Sequence, residues 1–413
     1  MINNNIETVS IMDESIVDVS KDISESFKEK TKRGLKTSLK STSNDFGHVL
    51  DKYLGKAYPN SLIDKLKDTS FMDTGLPDLN FLISGRPWSG GIPLNGKITI
   101  LYGPEGGGKT SIITRLLKIA IEKGIIPVFL DTERALEKRR FEQLGVDWSK
   151  IKHLWPTSIE ESFDIIEKVS ELAIAHNNTE KGILILYDSL AGTLTNDQNE
   201  RKMDQNEIAS EAKVINRDMK KVKRIIERAN VGLVLIQQSR INMQTIGHSD
   251  KYSLPGGQGL KHNSDILIRI SRGKQDVEGQ LVKISTPCKN RLFKPRQSIE
   301  AYFDYMNGFT MKQSLTNFAK IMTDIGYLKR SGSWCYFEHK PDDKFYSKDL
   351  IDRLQNQEEL TNLLKDVEKY IDSNFLEINR LIGQEDVEDP ENLNYIEISK
   401  NNELNLNENE DEE

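Results

Sequence analysis

Leu101-Tyr102-Gly103-Pro104-Glu105-Gly106-Gly107-Gly108-Lys109-Thr110 is the stretch on which the fold turns. Gly103 to Thr110 fits the spacing G-x-x-x-x-G-K-[ST] of a phosphate-cradling loop. Before it, Ile98 to Tyr102 is a continuous apolar run that reads as a buried strand. After it, Ile112, Ile113, Leu116, Leu117, Ala120 and Ile121 recur at helical spacing. Strand, glycine loop and helix therefore follow one another in the order a phosphate site needs. The glycines let backbone N–H groups wrap an anion, and the helix N-terminus adds partial positive charge. Gly103, Pro104, Glu105, Gly106, Gly107, Gly108, Lys109, Thr110 and Ser111 become candidate nucleotide contacts. Lys109 has the reach for the terminal phosphates, and the Thr110 hydroxyl is a candidate Mg²⁺ ligand.

Moving outward, further apolar runs appear at Val128–Leu130, Ile183–Tyr187, Val231–Ile236 and Ile266–Ile270, with helical patterns separating the first four strands. Alternating strands and helices imply βαβ units, hence an α/β fold around a mostly parallel sheet covered on both faces. Ligands of such sheets sit at the carboxyl ends of the strands. There the sequence places Asp131-Thr132-Glu133, Asp188-Ser189 and Gln237-Gln238. An acid ending an apolar strand, here Asp188, suits Mg²⁺ held with the nucleotide. A carboxylate such as Glu133 is suited to orient and partly deprotonate the attacking water. An amide at Gln237-Gln238 suits hydrogen bonding to the γ-phosphate.

The chain has 413 residues, of which 37% are hydrophobic and 29% charged, room for a core with wet ends. It has no apolar run near the ~20 residues of a membrane span. Met1 to Ile11 lacks the pattern of a secretory signal. Two cysteines, Cys288 and Cys335, are too few for a disulfide framework or zinc site. These features lead to the expectation of a cytoplasmic protein, in a nucleoid or host-cell cytoplasm, with no membrane partner. The net charge of −7 hides an asymmetry: Glu385 to Glu413 holds twelve acids against Lys400, so the remainder carries about +4. A weakly basic body with an acidic tail is compatible with nucleic-acid binding and self-screening. Four segments are expected: an N-terminal arm or oligomerisation segment over 1–69, a core over 70–307, a small α+β domain over 308–383 and an acidic disordered tail over 384–413. Within the arm, the basic stretch Phe27 to Lys40 reads either as a solvated segment or as a DNA- or partner-binding one. Phe46 to Leu66 has apolar spacing for one or two short helices.

Taken in order, the motifs resemble those of the RecA recombinases. Gly103-Pro104-Glu105 with Gly108-Lys109-Thr110 is similar to the family's P-loop. Phe129-Leu130-Asp131-Thr132-Glu133-Arg134-Ala135-Leu136 is similar to the segment holding its catalytic glutamate. Leu186-Tyr187-Asp188-Ser189-Leu190 resembles its Walker B strand, and Ile236-Gln237-Gln238-Ser239-Arg240 the segment with its γ-phosphate-sensing glutamine. Pro255-Gly256-Gly257-Gln258-Gly259-Leu260-Lys261 resembles the double glycine closing its second DNA loop. Lys289-Asn290-Arg291 stands where the family has two basic residues that reach the nucleotide of the adjacent subunit. Gly326-Tyr327-Leu328 to Gly332-Ser333-Trp334 resembles the start of its small C-terminal domain. The resemblance spans roughly residues 70 to 340, and the long N-terminus and divergent loops look more like phage-type relatives such as UvsX. It puts the catalytic base on Glu133, phosphate sensing on Gln238, and the interface cations on Lys289 and Arg291. Two departures stand out. Arg140 occupies the place of a tyrosine that stacks on adenine in bacterial members, and His262 that of an aromatic after the double glycine.

The resemblance also implies how DNA is held. A first loop, Asn196 to Asn206, leads into a helix striped with Ile208, Ala212, Ile215, Met219, Val222 and Ile226, and Ser239 to Gln258 forms a second loop. Ile208 and Met243 match the apolar residues that wedge between bases. Lys213, Lys220, Arg240 and the backbone of Gly256 and Gly257 are candidates for sequence-blind phosphate contacts. The expected protein is a DNA-dependent ATPase using ATP and Mg²⁺. It would form a helical homo-oligomeric filament on single-stranded DNA and pair it with double-stranded DNA, with a loader or single-strand-binding protein as further partner. Two rivals share the motifs: a hexameric helicase or motor on the same core, and a non-catalytic coat for single strands.

Overall fold

A computed structural model describes residues 69–134, 137–176, 182–200, 208–241, 252–255 and 257–381. The basic stretch and short helices expected before residue 69, Met243, Gly256 and the acidic tail lie outside the described residues.

Two-residue strands β1 (Phe71–Met72) and β2 (Ile92–Pro93) pair as a small ribbon around helix α1 (Pro77–Ser84). The main sheet then takes β3 (Ile98–Gly103), β4 (Ile126–Asp131), β5 (Lys152–Leu154), β6 (Ile183–Asp188) and β7 (Val231–Gln238). A two-residue ribbon follows, β8 (Arg240–Ile241) with β9 (Tyr252–Ser253). The main sheet resumes with β10 (Ile266–Gln275), β11 (Gly279–Ser285), β12 (Ser298–Asp304) and β13 (Gly308–Phe309). Its strand order is β13-β12-β11-β10-β3-β7-β6-β4-β5. The six strands from β10 to β5 are parallel, and β11 to β13 continue antiparallel. Every apolar run singled out in the sequence is a strand of this sheet.

The helices between strands are α2 (Lys109–Lys123), α3 (Lys138–Gln143), α4 (Ile159–Ala175), α5 (Asn196–Glu200), α6 (Ile208–Ala229) and α7 (Gly257–Asn263). Alternation along each strand sorts the core into two layers. Ile98, Ile100, Val128, Leu130, Ile183, Ile185, Leu233 and Leu235 face α4 and α6, where Phe163, Ile166, Ile215, Met219, Val222 and Ile226 meet them. Leu101, Phe129, Leu184, Leu186, Val234, Ile236 and Ile268 face the other way, onto Ile112, Ile113, Leu116 and Leu117 of α2 and onto α1. Because both faces are covered, the strands are continuously apolar. The first loop expected from Asn196 begins instead as a helical turn, α5.

β13 pairs with β12 and buries Phe309 in the core, so the large sheet runs just past the boundary expected at Asn307. Beyond it lie α8 (Met311–Asp324), the antiparallel sheet β14 (Leu328–Ser331), β15 (Trp334–Phe337) and β16 (Lys340–Tyr346), then α9 (Leu350–Leu354), α10 (Gln357–Ser373) and α11 (Phe375–Leu381). Leu315, Phe318, Met322, Cys335, Phe345, Val367 and Ile371 form their core. The aromatic run Trp334, Tyr336 and Phe337 suggests from sequence that all three rings belong to this core, and Phe337 does pack against it. The alternation on β15 instead turns Cys335 inward, and Trp334 is exposed and stacks on Tyr346 at 4.0 Å. Two carboxylates tie this body to α1 and its neighbouring loop. Asp78 accepts from Ser314 Oγ and from Asn317 Nδ2 (2.7 Å), and Glu368 accepts from Trp88 N (3.0 Å) and Ser89 N (2.9 Å). No described helix is long and apolar enough to cross a membrane.

Candidate nucleotide site and interface cations

The strand order sets the site. β7 and β6 lie between β3 and β4, so Gly103, Gln238, Asp188 and Asp131 end four neighbouring strands. The loop after β3 is shaped by its glycines. A side chain at Gly103 would collide with the Ile270 carbonyl, and Gly106 and Gly108 have φ of 62° and 90°, the left-handed region that costs glycine little. Gly108 caps α2, whose first residues are Lys109 and Thr110. From the antiparallel flank, Gln280 Nε2 donates to Gly106 O at 3.1 Å, and the Arg272 guanidinium lies beside Gly106.

Lys109 Nζ donates to Gly103 O (3.0 Å) and Pro104 O (2.7 Å), so its ammonium is held over the loop. Burial pulls its pKa down, Asp188, Glu133 and Glu105 pull it back up, and Arg272 pulls it down again. Thr110 is exposed and Ser111 half-buried at the helix start. This cradle of backbone donors, an ammonium and a hydroxyl fits the phosphates of a nucleotide.

At the tips of β4, β6 and β7 the side chains hold one another. Glu133 Oε1 accepts from Ser189 Oγ (2.6 Å) and from Gln238 Nε2 (3.1 Å). Thr132 Oγ1 donates to Ser189 O (2.9 Å) and receives Ser189 N (3.0 Å). Asp131, buried, accepts from Arg134 N (2.9 Å) and lies 3.3 Å from His153 Nε2, fixing the turn that presents Glu133. Burial pushes the Asp188 carboxyl up to about 7, helped by Glu133 and Asp131 and opposed by Lys109. Among the described residues no group of three or more His, Cys, Asp or Glu could hold a metal ion. The Thr110 hydroxyl and the Asp188 carboxyl would offer two oxygens, a chemistry that fits the small protein share of Mg²⁺ carried by phosphates.

Arg140 Nη2 donates to the carbonyls of Tyr305 and Met306 (3.1 Å to the latter), which anchors its guanidinium on the β12–β13 turn. Of the DNA candidates, Lys213 and Lys220 are exposed on α6. Ile208 opens α6, Arg240 lies in β8 and Gly257 opens α7.

Lys289 and Arg291 are not with this group. Between them Asn290 bridges to Ile266, the residue of β10 that pairs with Thr99 near the start of β3. The P-loop leaves the far end of β3 at Gly103, so the cations stand about four residues of strand away, roughly 13 Å at ~3.3 Å per residue. There Lys289 Nζ donates to Lys261 O (2.6 Å) and His262 O (2.9 Å) at the end of α7, while Arg291 Nη1 donates to Asp265 Oδ1 (3.0 Å). Burial, reinforced by Arg291, pulls the Lys289 pKa down. The residues that sequence reasoning passed over are Ser189, Thr132, Gln280, Arg272 and Asp265. Ser189 and Thr132 adjoin the acids already singled out, whereas Gln280, Arg272 and Asp265 carry no local motif.

The comparisons with known proteins agree with this geometry. A family model described as RecA N-terminal domain matches residues 45–310. Protein RecA of Aquifex aeolicus (strain VF5) is 27% identical over 323 residues, covering 77% of this chain and 86% of that protein. Protein RecA of Thermus aquaticus is 25% identical over 319 residues, 76% of this chain and 87% of that protein. Protein RecA of Ruminococcus albus is 26% identical over 291 residues, 69% and 70% respectively. With a glycine loop, strand-end acids and a strand-end amide in one α/β sheet, and a family model covering more than half its length, the chain belongs to the RecA family.

Proposed function

We propose that this chain is an ATP-dependent DNA recombinase that assembles as a helical filament on single-stranded DNA and drives homologous pairing and strand exchange, in the manner of the phage-type members of its family. One observation carries the reading. The cradle and its acids lie at one end of β3, and the cations Lys289 and Arg291 lie at the other. A subunit with half a site at each end completes both halves only against neighbours in head-to-tail repetition, which builds an open helix unless it closes into a ring.

Within such a contact the residues divide the work. The backbone of Gly106 to Lys109 and the Lys109 ammonium bind and orient the phosphates. Thr110 and Asp188 would hold Mg²⁺ that arrives with ATP, and the ion would supply charge neutralisation. Glu133, aimed by Ser189, orients the attacking water and accepts its proton. Gln238, now hydrogen-bonded to Glu133, is placed to exchange that bond for one to the γ-phosphate and to relay the change through β7 into the loop beyond Ser239. The neighbour's Lys289 and Arg291 stabilise charge on the transferring group. Lys213 and Lys220, with Arg240 and the Gly256-Gly257 backbone, are proposed to hold DNA by its phosphates, and Ile208 and Met243 to separate bases.

Electron microscopy of the full chain with a slowly hydrolysed ATP analogue, Mg²⁺ and single-stranded DNA tests this. Continuous helical filaments are expected. Closed six-membered rings would favour a motor, and irregular nucleotide-independent beads a passive coat; either overturns the proposal.

A further inference from the structure

At the end of the sheet away from the P-loop, one buried carboxylate organises the cationic half-site. Asp265, just before β10, has a side chain only 2% exposed. Its backbone N donates to Ile98 O (2.7 Å), and its Oδ2 accepts from Ile98 N (3.0 Å), so it is pinned to the first residue of β3. Lys223, reaching from α6, donates to Oδ1 (3.0 Å) and Oδ2 (3.1 Å) and also to Asn263 O (3.1 Å). Arg291 donates through Nη1 to Oδ1 (3.0 Å) and through its backbone N to Asp265 O (3.1 Å). The two cations differ in exposure: the Lys223 side chain is 21% exposed and that of Arg291 53%.

We infer that Asp265 is the positioning residue of the interface cations: it aims Arg291 toward the neighbouring subunit, while Lys223 compensates its charge so that Arg291 is free to leave. This rests on the proposal that Arg291 acts on the nucleotide of a neighbour. The Arg291 guanidinium is half exposed, so solvent weakens its pair with the buried Asp265: the contact biases a rotamer without trapping the side chain. A triphosphate offers bidentate, charge-assisted bonds that are stronger. When Arg291 turns to it, Asp265 keeps Lys223 and the Ile98 N–H, so no buried charge is stranded. Without Lys223, Arg291 would be the counter-ion that Asp265 needs, and the handover would be opposed. Lys289 is set by the same backbone, because Asn290 donates to Leu82 O and Ile83 O and fixes the segment between the two cations.

The test uses the full chain with single-stranded DNA and ATP. Asp265→Asn keeps the shape and one acceptor but loses the charge. It is expected to leave binding of a fluorescent ATP analogue by isolated subunits intact and to lower kcat of DNA-stimulated hydrolysis about tenfold or more, with KM little changed, since misaiming a catalytic group by ~1 Å costs ~10²-fold. Its defect lies in the half-site a subunit lends. Mixed filaments with Lys109→Ala should therefore regain hydrolysis, and mixed filaments with Lys289→Ala/Arg291→Ala should not. Lys223→Met provides a second variant and should show a several-fold loss with the same mixing pattern. Wild-type hydrolysis by both variants, or defects that Lys109→Ala does not relieve, would overturn the inference. If Lys109→Ala mixed with Lys289→Ala/Arg291→Ala also fails to recover, the action in trans has failed; if that pair recovers, only the role of Asp265 has.

Discussion

The two ends of β3 make opposite demands on charge. At the P-loop end, Glu133, Asp188 and Asp131 crowd together, and burial with mutual repulsion lifts the Asp188 carboxyl to about 7. Lys109 and Arg272 are cations beside them. At the other end, Lys223, Lys289 and Arg291 gather around the buried carboxylate Asp265, and the Lys289 pKa is pulled down. One end is short of positive charge for a triphosphate and the other carries a surplus. On the proposed reading such a sheet is electrostatically incomplete alone, and head-to-tail stacking would satisfy both ends together. Here the distribution of charge, more than the fold, is what argues for a polymer.

The largest effect should come from removing the surplus. Lys289→Ala/Arg291→Ala is expected to lower DNA-stimulated ATP hydrolysis by ~10³-fold or more, the scale of cations acting in trans on phosphoryl transfer. Fluorescent-nucleotide titration of isolated subunits should show binding retained. Loss of that binding would move the two residues out of an interface role.

Next comes the acidic end. Glu133→Gln should keep ATP and DNA binding and slow single-turnover hydrolysis by ~10²-fold or more, the low end for losing a general base. Hydrolysis at the wild-type rate would transfer the water-positioning role to another group.

Much of this contrast was legible in the sequence, but not evenly. The P-loop, Glu133, Asp188 and Gln238 could be found because each sits where an apolar run ends, and a strand end is a local pattern. The sheet itself followed from the same runs. Asp265 was not visible, because its meaning lies in Lys223 and Arg291, 42 and 26 residues away. Gln280 reaches Gly106 across 174 residues and likewise has no local signal. Trp334 misled for another reason: an aromatic run suggests a core, but on β15, the middle strand of its sheet, alternation turns Cys335 inward and leaves Trp334 exposed. Only the register of Asn290 with Ile266 put Lys289 and Arg291 at the far end of the sheet.

The smallest effect concerns pH. Asp188 normally titrates near 3.8 and here near 7. Its contribution to stability is therefore fully present below about pH 3.8 and is lost as pH rises through about 7. Nucleotide-free Asp188→Asn should melt close to the wild type at pH 4 and above it at pH 8, the gap opening between those values. A melting difference independent of pH would mean the carboxyl is not strained in the folded chain.

Mixing two inactive proteins tests the central claim most directly. Lys109→Ala lacks the cradle's ammonium but has intact cations, and Lys289→Ala/Arg291→Ala has the reverse. Co-assembled in equal amounts on single-stranded DNA, with co-assembly verified by fluorescence energy transfer between labelled subunits, they should recover up to about a quarter of the wild-type hydrolysis rate, because each head-to-tail interface draws one half from each neighbour. Co-assembled filaments that remain inactive would contradict a site shared between the end of one sheet and the beginning of the next.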